Sequence, residues 1–122
     1  MVTLKSIAPQ LVVPDVVETA EYYRDVFGFK ILSYFAEPPV YSIVARDGVE
    51  IHFGKAEAAG ASNSTVRSGS FDVYIWVSDV AAIFDELTAS GAEILEGPVK
   101  RIYESTEVVV RDCNGFVLTF AD

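Results

Sequence analysis

Glu50 and His52 stand two residues apart in the run VEIHF at 49–53, a spacing that puts both side chains on one face of an extended strand. A carboxylate beside an imidazole suits proton transfer, with His52 as a general base near neutral pH and Glu50 orienting it. The plainer reading of His52 is a polar residue tolerated on a half-exposed sheet. A second alternating set, Asp72, Tyr74 and Trp76, shares one face of FDVYIWV at 71–77, while Phe71, Val73, Ile75 and Val77 take the other. The two rings of the polar face could stack on a planar ligand or bury a subunit seam. Glu50 and Asp72 could divide acid and base roles, although 18 carboxylates in the chain make incidental pairs common. Cys113, the only cysteine, sits in the turn Asp112-Cys113-Asn114-Gly115 with no activating neighbour and reads as an exposed bystander.

The elements that must position these residues come as a repeat. LVVPDVVETAEYYRDVFGFKIL at 11–32 recurs in degraded form as IWVSDVAAIFDELTASGAEIL at 75–95. Each copy reads apolar strand, Asp, amphipathic helix, Gly, apolar strand. Asp15 with Glu18 makes a capping-box pattern, and Val16, Ala20, Tyr23 and Phe27 fall on one helical face, closed by Gly28. In the second copy Asp79 caps a helix carrying Val80, Ile83, Phe84 and Leu87, closed by Gly91. Strands are expected at 4–13, 29–35, 40–46 and 49–54, then at 70–77, 92–96, 104–111 and 115–121, with Asp47-Gly48 a tight-turn signal. The order is βαβββ twice. Repeats at about 1–54 and 70–122 would make one domain, joined by the small, polar segment 55–69. Aligning the copies on Asp15/Asp79 and Gly48/Gly115 lays His52 over Thr119.

Composition bounds the rest. With 51% hydrophobic residues the chain can build a core, and its apolar runs are too short for the ~20 residues of a membrane span. The formal net charge of −9 and the lack of a basic stripe argue against nucleic acid. The same charge favours a cationic ligand, or simply keeps the protein soluble. One cysteine excludes an internal disulfide, which fits a reducing cytoplasm, and the N-terminus MVTLKSIAPQL has no signal-peptide pattern.

This layout resembles the vicinal oxygen chelate superfamily of glyoxalases, bleomycin-resistance proteins and extradiol dioxygenases. The residues that carry the likeness are VPDVVETAEYYRDVFGF in the first half, with VSDVAAIFDELTASGAEI and VVVRDCNGFVLTF in the second. The resemblance implies an α+β fold in which two βαβββ modules form a curved, half-barrel mixed sheet with helices on the outer face. Metal-dependent members place one ligand on each of four strands, at positions that fall here on Ala8, His52, Asp72 and Thr119. Ala8 and Thr119 cannot replace imidazole and carboxylate, so no metal site is expected beyond a weak one at His52 and Asp72. The cleft would be walled by Gln10, Glu50, His52, Asp72, Tyr74, Trp76 and Thr119. Tyr103 stands on the loop over it, where relatives often carry an aromatic-Gly pair; here Glu104 follows. The expectation is a homodimer that binds or sequesters a small organic ligand, cationic or planar, without a metal, in the style of the bleomycin-resistance proteins. The alternative is a lyase or isomerase of the glyoxalase type, acting on a small oxygenated substrate with His52 as base or ligand. A third reading is an accessory subunit with a vestigial cleft.

Overall fold

The first helix begins where Asp15 takes over two backbone donors left without helical partners. Its Oδ1 accepts from the amides of Val17 and Glu18 at 3.1 and 2.9 Å, and Gly28 ends the helix at φ 75°, a left-handed conformation that suits glycine. Asp79 repeats the capping in the second copy, accepting from the Ala82 amide at 3.0 Å. In the computed structural model, which describes residues 1–122, the first module is β1 (Gln10–Val13), α1 (Val16–Phe27), β2 (Lys30–Phe35), β3 (Tyr41–Arg46) and β4 (Val49–Lys55). The second is β5 (Val73–Trp76), α2 (Val80–Ala89), β6 (Glu93–Lys100), β7 (Thr106–Arg111) and β8 (Val117–Ala121). A short 3-10 turn at Asn63–Thr65 lies in the connection between them.

The class is α+β with two βαβββ modules, as the repeat predicts. Hydrogen bonding divides the strands into two four-stranded mixed sheets, ordered β1-β4-β3-β2 and β5-β8-β7-β6, which do not close into a barrel. The first strand of each module pairs parallel with the last, Gln10 opposite His52 and Tyr74 opposite Thr119. The other pairings are antiparallel.

Strand limits differ from expectation at several ends: β5 runs only Val73–Trp76 of the expected 70–77, β7 and β8 each begin two residues late, and the largest differences are at β1 and β6. Residues 4–9 do not join β1, because pairing with β4 begins only at Gln10; the last contact before it is the Pro9 carbonyl accepting from the His52 amide at 3.0 Å. β6 runs on past Gly97-Pro98 to Lys100, a proline being tolerated because β6 is an edge strand with a bulge in its register there.

The apolar periods become the core. Val16, Ala20, Tyr23 and Phe27 of α1 are no more than 1% exposed, and they share one cluster with Ile51 and Phe53 of β4, Val80 and Leu87 of α2, and Val108, Leu118 and Phe120 of the second sheet. Full burial of side chains such as Phe27 or Leu87 contributes about 1.5–3 kcal/mol each. Tyr23 sits at the seam between modules. Its ring meets Phe27 and Phe53 edge-on at 4.9 and 4.8 Å, and its hydroxyl donates to Asp112 Oδ2 at 2.7 Å. No helix of the protein is long and apolar enough to cross a membrane. With the helices packed on one side of each sheet, the other side is left to carry polar and aromatic groups.

Candidate functional site

Alternation along β4 buries Ile51 and Phe53 and turns Glu50 and His52 to the opposite face. There the two side chains meet, His52 Nε2 lying 2.6 Å from Glu50 Oε1. On β3, Ser42 and Val44 are buried, so Tyr41 falls on His52's face, and its hydroxyl lies 2.8 Å from His52 Nδ1. Gln10 of β1 completes the row, donating from Nε2 to the Tyr41 hydroxyl at 3.2 Å. The carboxylate can only accept, so Nε2 carries a proton; with a neutral imidazole, Tyr41 then donates to Nδ1. The result is a four-residue relay, Gln10–Tyr41–His52–Glu50, across the first sheet. Tyr41 is absent from the sequence-based set, although the same period-2 reading applied to YSIVAR would have placed it beside His52.

The second sheet holds a different assembly. Tyr74, Trp76 and Phe71 form a run of tilted rings, with centroids 5.0 Å apart for Phe71 and Tyr74 and 4.8 Å for Tyr74 and Trp76. The Tyr74 and Tyr103 hydroxyls both donate to Glu107 Oε2 at 2.7 Å, and Arg101 Nε donates to Glu107 Oε1 at 2.8 Å. Arg101 Nη1 also reaches Glu96 Oε1 at 2.6 Å. Glu107 is only 3% exposed. Burial would raise its pKa, but the hydrogen bonds from Tyr74, Arg101 and Tyr103 outweigh that and hold the carboxyl below its ordinary 4.5. Thr119, buried on β8, lies opposite Tyr74 in the register. Glu107 and Arg101 also escaped sequence reading. The available signal was a carboxylate inside the apolar run TEVVV, on the face that Val108 and Val110 do not use.

A cavity of about 770 Å³ opens on this face. Glu107, Val109, Val117 and Thr119 belong to its sheet side, and the segment around Ser64–Phe71 forms the opposite wall with Arg101 and Tyr103 at the rim. Asp72 anchors that segment. Its Oδ2 accepts from Ser62 Oγ at 2.6 Å and from the Val117 amide at 2.8 Å, and its Oδ1 from the Asn63 amide at 2.8 Å. A smaller cavity of about 370 Å³ lies where the modules meet, bounded by Phe29, Val49, Trp76, Ile83 and the Arg46–Glu86 ion pair.

In one chain, then, the residues expected to share a cleft are held as two groups. Gln10, Glu50 and His52 come together on the first sheet; Tyr74, Trp76, Tyr103 and Thr119 lie on or around the second, and no residue of the first module lines the larger cavity. Asp72 and His52 do not converge, and no three His, Cys, Asp or Glu side chains form a group able to hold a metal ion. The donor chemistry agrees with that geometry. Both Asp72 oxygens already accept hydrogen bonds, His52 is engaged on both ring nitrogens, and Ala8 and Thr119 offer neither imidazole nor carboxylate. These residues do not fit the four-ligand centre of the metal-dependent members.

The profile of the Glyoxalase/Bleomycin resistance protein/Dioxygenase superfamily matches residues 3–120, and the chain belongs to that family. Among solved structures it is similar to a bleomycin resistance determinant encoded on the transposon Tn5, at 20% identity and TM-score 0.77, with 98% of each chain covered. A bleomycin-binding protein complexed with bleomycin aligns at 18% identity and TM-score 0.77, again over 98% of both chains. TioX from Micromonospora sp. ML1 gives 20% identity and TM-score 0.75, covering 96% of this chain and 97% of that one. At such identities the likeness is one of fold. No curated protein matches the chain in sequence.

Proposed function

We propose that this protein is a metal-independent binding protein of the glyoxalase/bleomycin-resistance type, which takes a small planar organic molecule in the cavity beside the second sheet. The observation that carries this reading is a half-open polar cavity edged by aromatic rings. Phe71 and Tyr103 line it, Tyr74 and Trp76 continue the run of rings, and a fully partnered Glu107 sits in its floor. A volume of about 770 Å³ is in the range of small-molecule sites. The solved relative bound to bleomycin supports small-molecule binding by this fold. The dispersed donors at Ala8, His52, Asp72 and Thr119 support the metal-free part. A cytoplasmic homodimer belongs to the same reading, supported by the lone thiol of Cys113 and by exposed Leu32, Phe35 and Val40 around the edge strand β2.

Titration with planar aromatic ligands tests it, followed by calorimetry and by the fluorescence of Trp76, which Tyr74 links to the cavity-lining ring of Phe71. The expected result is saturable one-to-one binding that Phe71→Ala and Tyr103→Ala each weaken by about tenfold. Silence across a broad panel would defeat the reading. Stoichiometric divalent metal in the purified protein would defeat its metal-free part.

A second reading rests on the relay of the first sheet. Glu50 orients the His52 imidazole and the Tyr41 hydroxyl donates to its other nitrogen, so a base acting here would take a substrate proton at the Tyr41 oxygen as Tyr41 passes its own to His52, as a lyase or isomerase requires. Turnover of a small oxygenated substrate, abolished in His52→Ala and slowed in Tyr41→Phe, would favour it.

A further inference from the structure

The acidity of this chain stops at the mouth of its larger cavity. Of nine basic residues in a chain of formal charge −9, three arginines, Arg67, Arg101 and Arg111, line that cavity, against two carboxylates, Glu96 and Glu107. Both carboxylates are already paired with a cation. Arg101 bridges both of them, and Glu107 also accepts two tyrosine hydroxyls. Arg111 is paired with Glu93. Arg67 differs. It has no acidic partner, and its one side-chain hydrogen bond runs from Nη1 to Ser70 Oγ at 3.2 Å, leaving most of its N–H donors open.

We propose that the cavity takes a ligand bearing a carboxylate or a similar planar oxyanion, with Arg67 as its anchor. The proposal rests on the binding reading above and names the ligand's charge. A guanidinium presents parallel N–H donors that match two oxygens of one anionic group, and it is weakly hydrated, so an oxyanion displaces its water at modest cost. The anchor is held in place. Asp72 pins Ser62, Asn63 and Val117 together, Asn63 Nδ2 donates to the Phe71 carbonyl at 3.0 Å, and the wall carrying Arg67 is thereby tied at both ends. Ser64, Ser68 and Ser70 add hydroxyls beside it, and Phe71, 43% exposed, offers a ring to the rest of the ligand. The negative field of the whole molecule opposes an anion at long range. At physiological salt that field is screened beyond roughly 8 Å, so contacts inside the cavity decide affinity.

Three probes on one naphthalene ring separate the charges: 2-naphthoate, 2-naphthamide and 2-naphthylmethylammonium, each titrated into the full chain by calorimetry and Trp76 fluorescence. Naphthoate is expected to bind about tenfold or more tighter than the amide, with the ammonium weakest. Arg67→Ala should bring naphthoate to within about twofold of the amide, with the melting temperature unchanged since Arg67 is exposed. Arg67→Lys should restore part of the preference, having the charge without the fork. If the amide or the ammonium binds as tightly as naphthoate, or if Arg67→Ala keeps the preference, the anion assignment falls and the cavity reading stands. If none of the three binds by either method, both fall together.

Discussion

Glu107 shows how one side chain can organise a site. Its carboxylate is buried, yet three donors from β5, the β6–β7 loop and its flank converge on two oxygens, so the charged form is the stable one. Because the folded pKa lies below the ordinary 4.5, this stabilisation is present at neutral pH and lost as pH falls from about 4.5 through the folded value. Glu107→Gln is therefore expected to be less stable at pH 7 by about 1–3 kcal/mol. Urea midpoints measured from pH 7 down to 3 should also fall less steeply than in the parent. Parallel acid profiles would show that Glu107 has no linked titration. Cys113 illustrates the opposite case. Partial desolvation, with help from the adjacent Asp112 carboxylate, pushes its thiol up to about 11, which keeps it protonated and unreactive at neutral pH although the residue reaches the surface.

At the scale of elements, the β6–β7 pair sets the reach of Arg101 to Glu107, and Gly97 is the position where that pair can least tolerate change. Its φ is 108°, and a side chain there would overlap the Glu107 carbonyl across the strand. Gly97→Ala is expected to cost about 2 kcal/mol or more, from strain and from pushing the edge strand outward. Chemical denaturation reads the stability, and naphthoate titration reads the accompanying loss of binding. A variant with parental stability would mean that β6 can shift without consequence. The helices, by contrast, were legible from their local pattern. Asp15, Asp79, Gly28 and the apolar spacing between them depend on neighbours within a turn or two, and each acts as its residue type predicts. The strands were legible except where a partner decides their length: β1 starts where β4 begins to pair, and β6 continues past its proline because nothing pairs on its outer side.

At the scale of the molecule, two open sheets share a core but not the larger cavity. Edge strands β2 and β6 are mostly exposed, and the apolar side chains Leu32, Phe35 and Val40 gather near one of them. A second copy covering such edges would remove unpaired backbone from water. Light scattering at micromolar concentration should give twice the 13.3 kDa of one chain, and Phe35→Glu should shift the equilibrium toward monomer. A strictly monomeric parent would sink the dimer.

By itself, the sequence determined the two βαβββ modules, the faces of their strands and the pairing of Glu50 with His52, because all of these follow from periodicity and from neighbours two to four residues away. Tertiary structure decided which polar groups meet. Tyr74 finds Glu107 across 33 positions, Asp72 reaches the Val117 amide across 45, and Tyr41 meets His52 across a hairpin. Such partnerships depend on sheet register and on how the connection at 62–71 folds back, which no single strand's pattern contains. That is why Asp72, expected in the cleft wall, serves in the fold as an anchor of the loop, and why Arg67, in a stretch expected to be only a linker, stands at the cavity with its donors open.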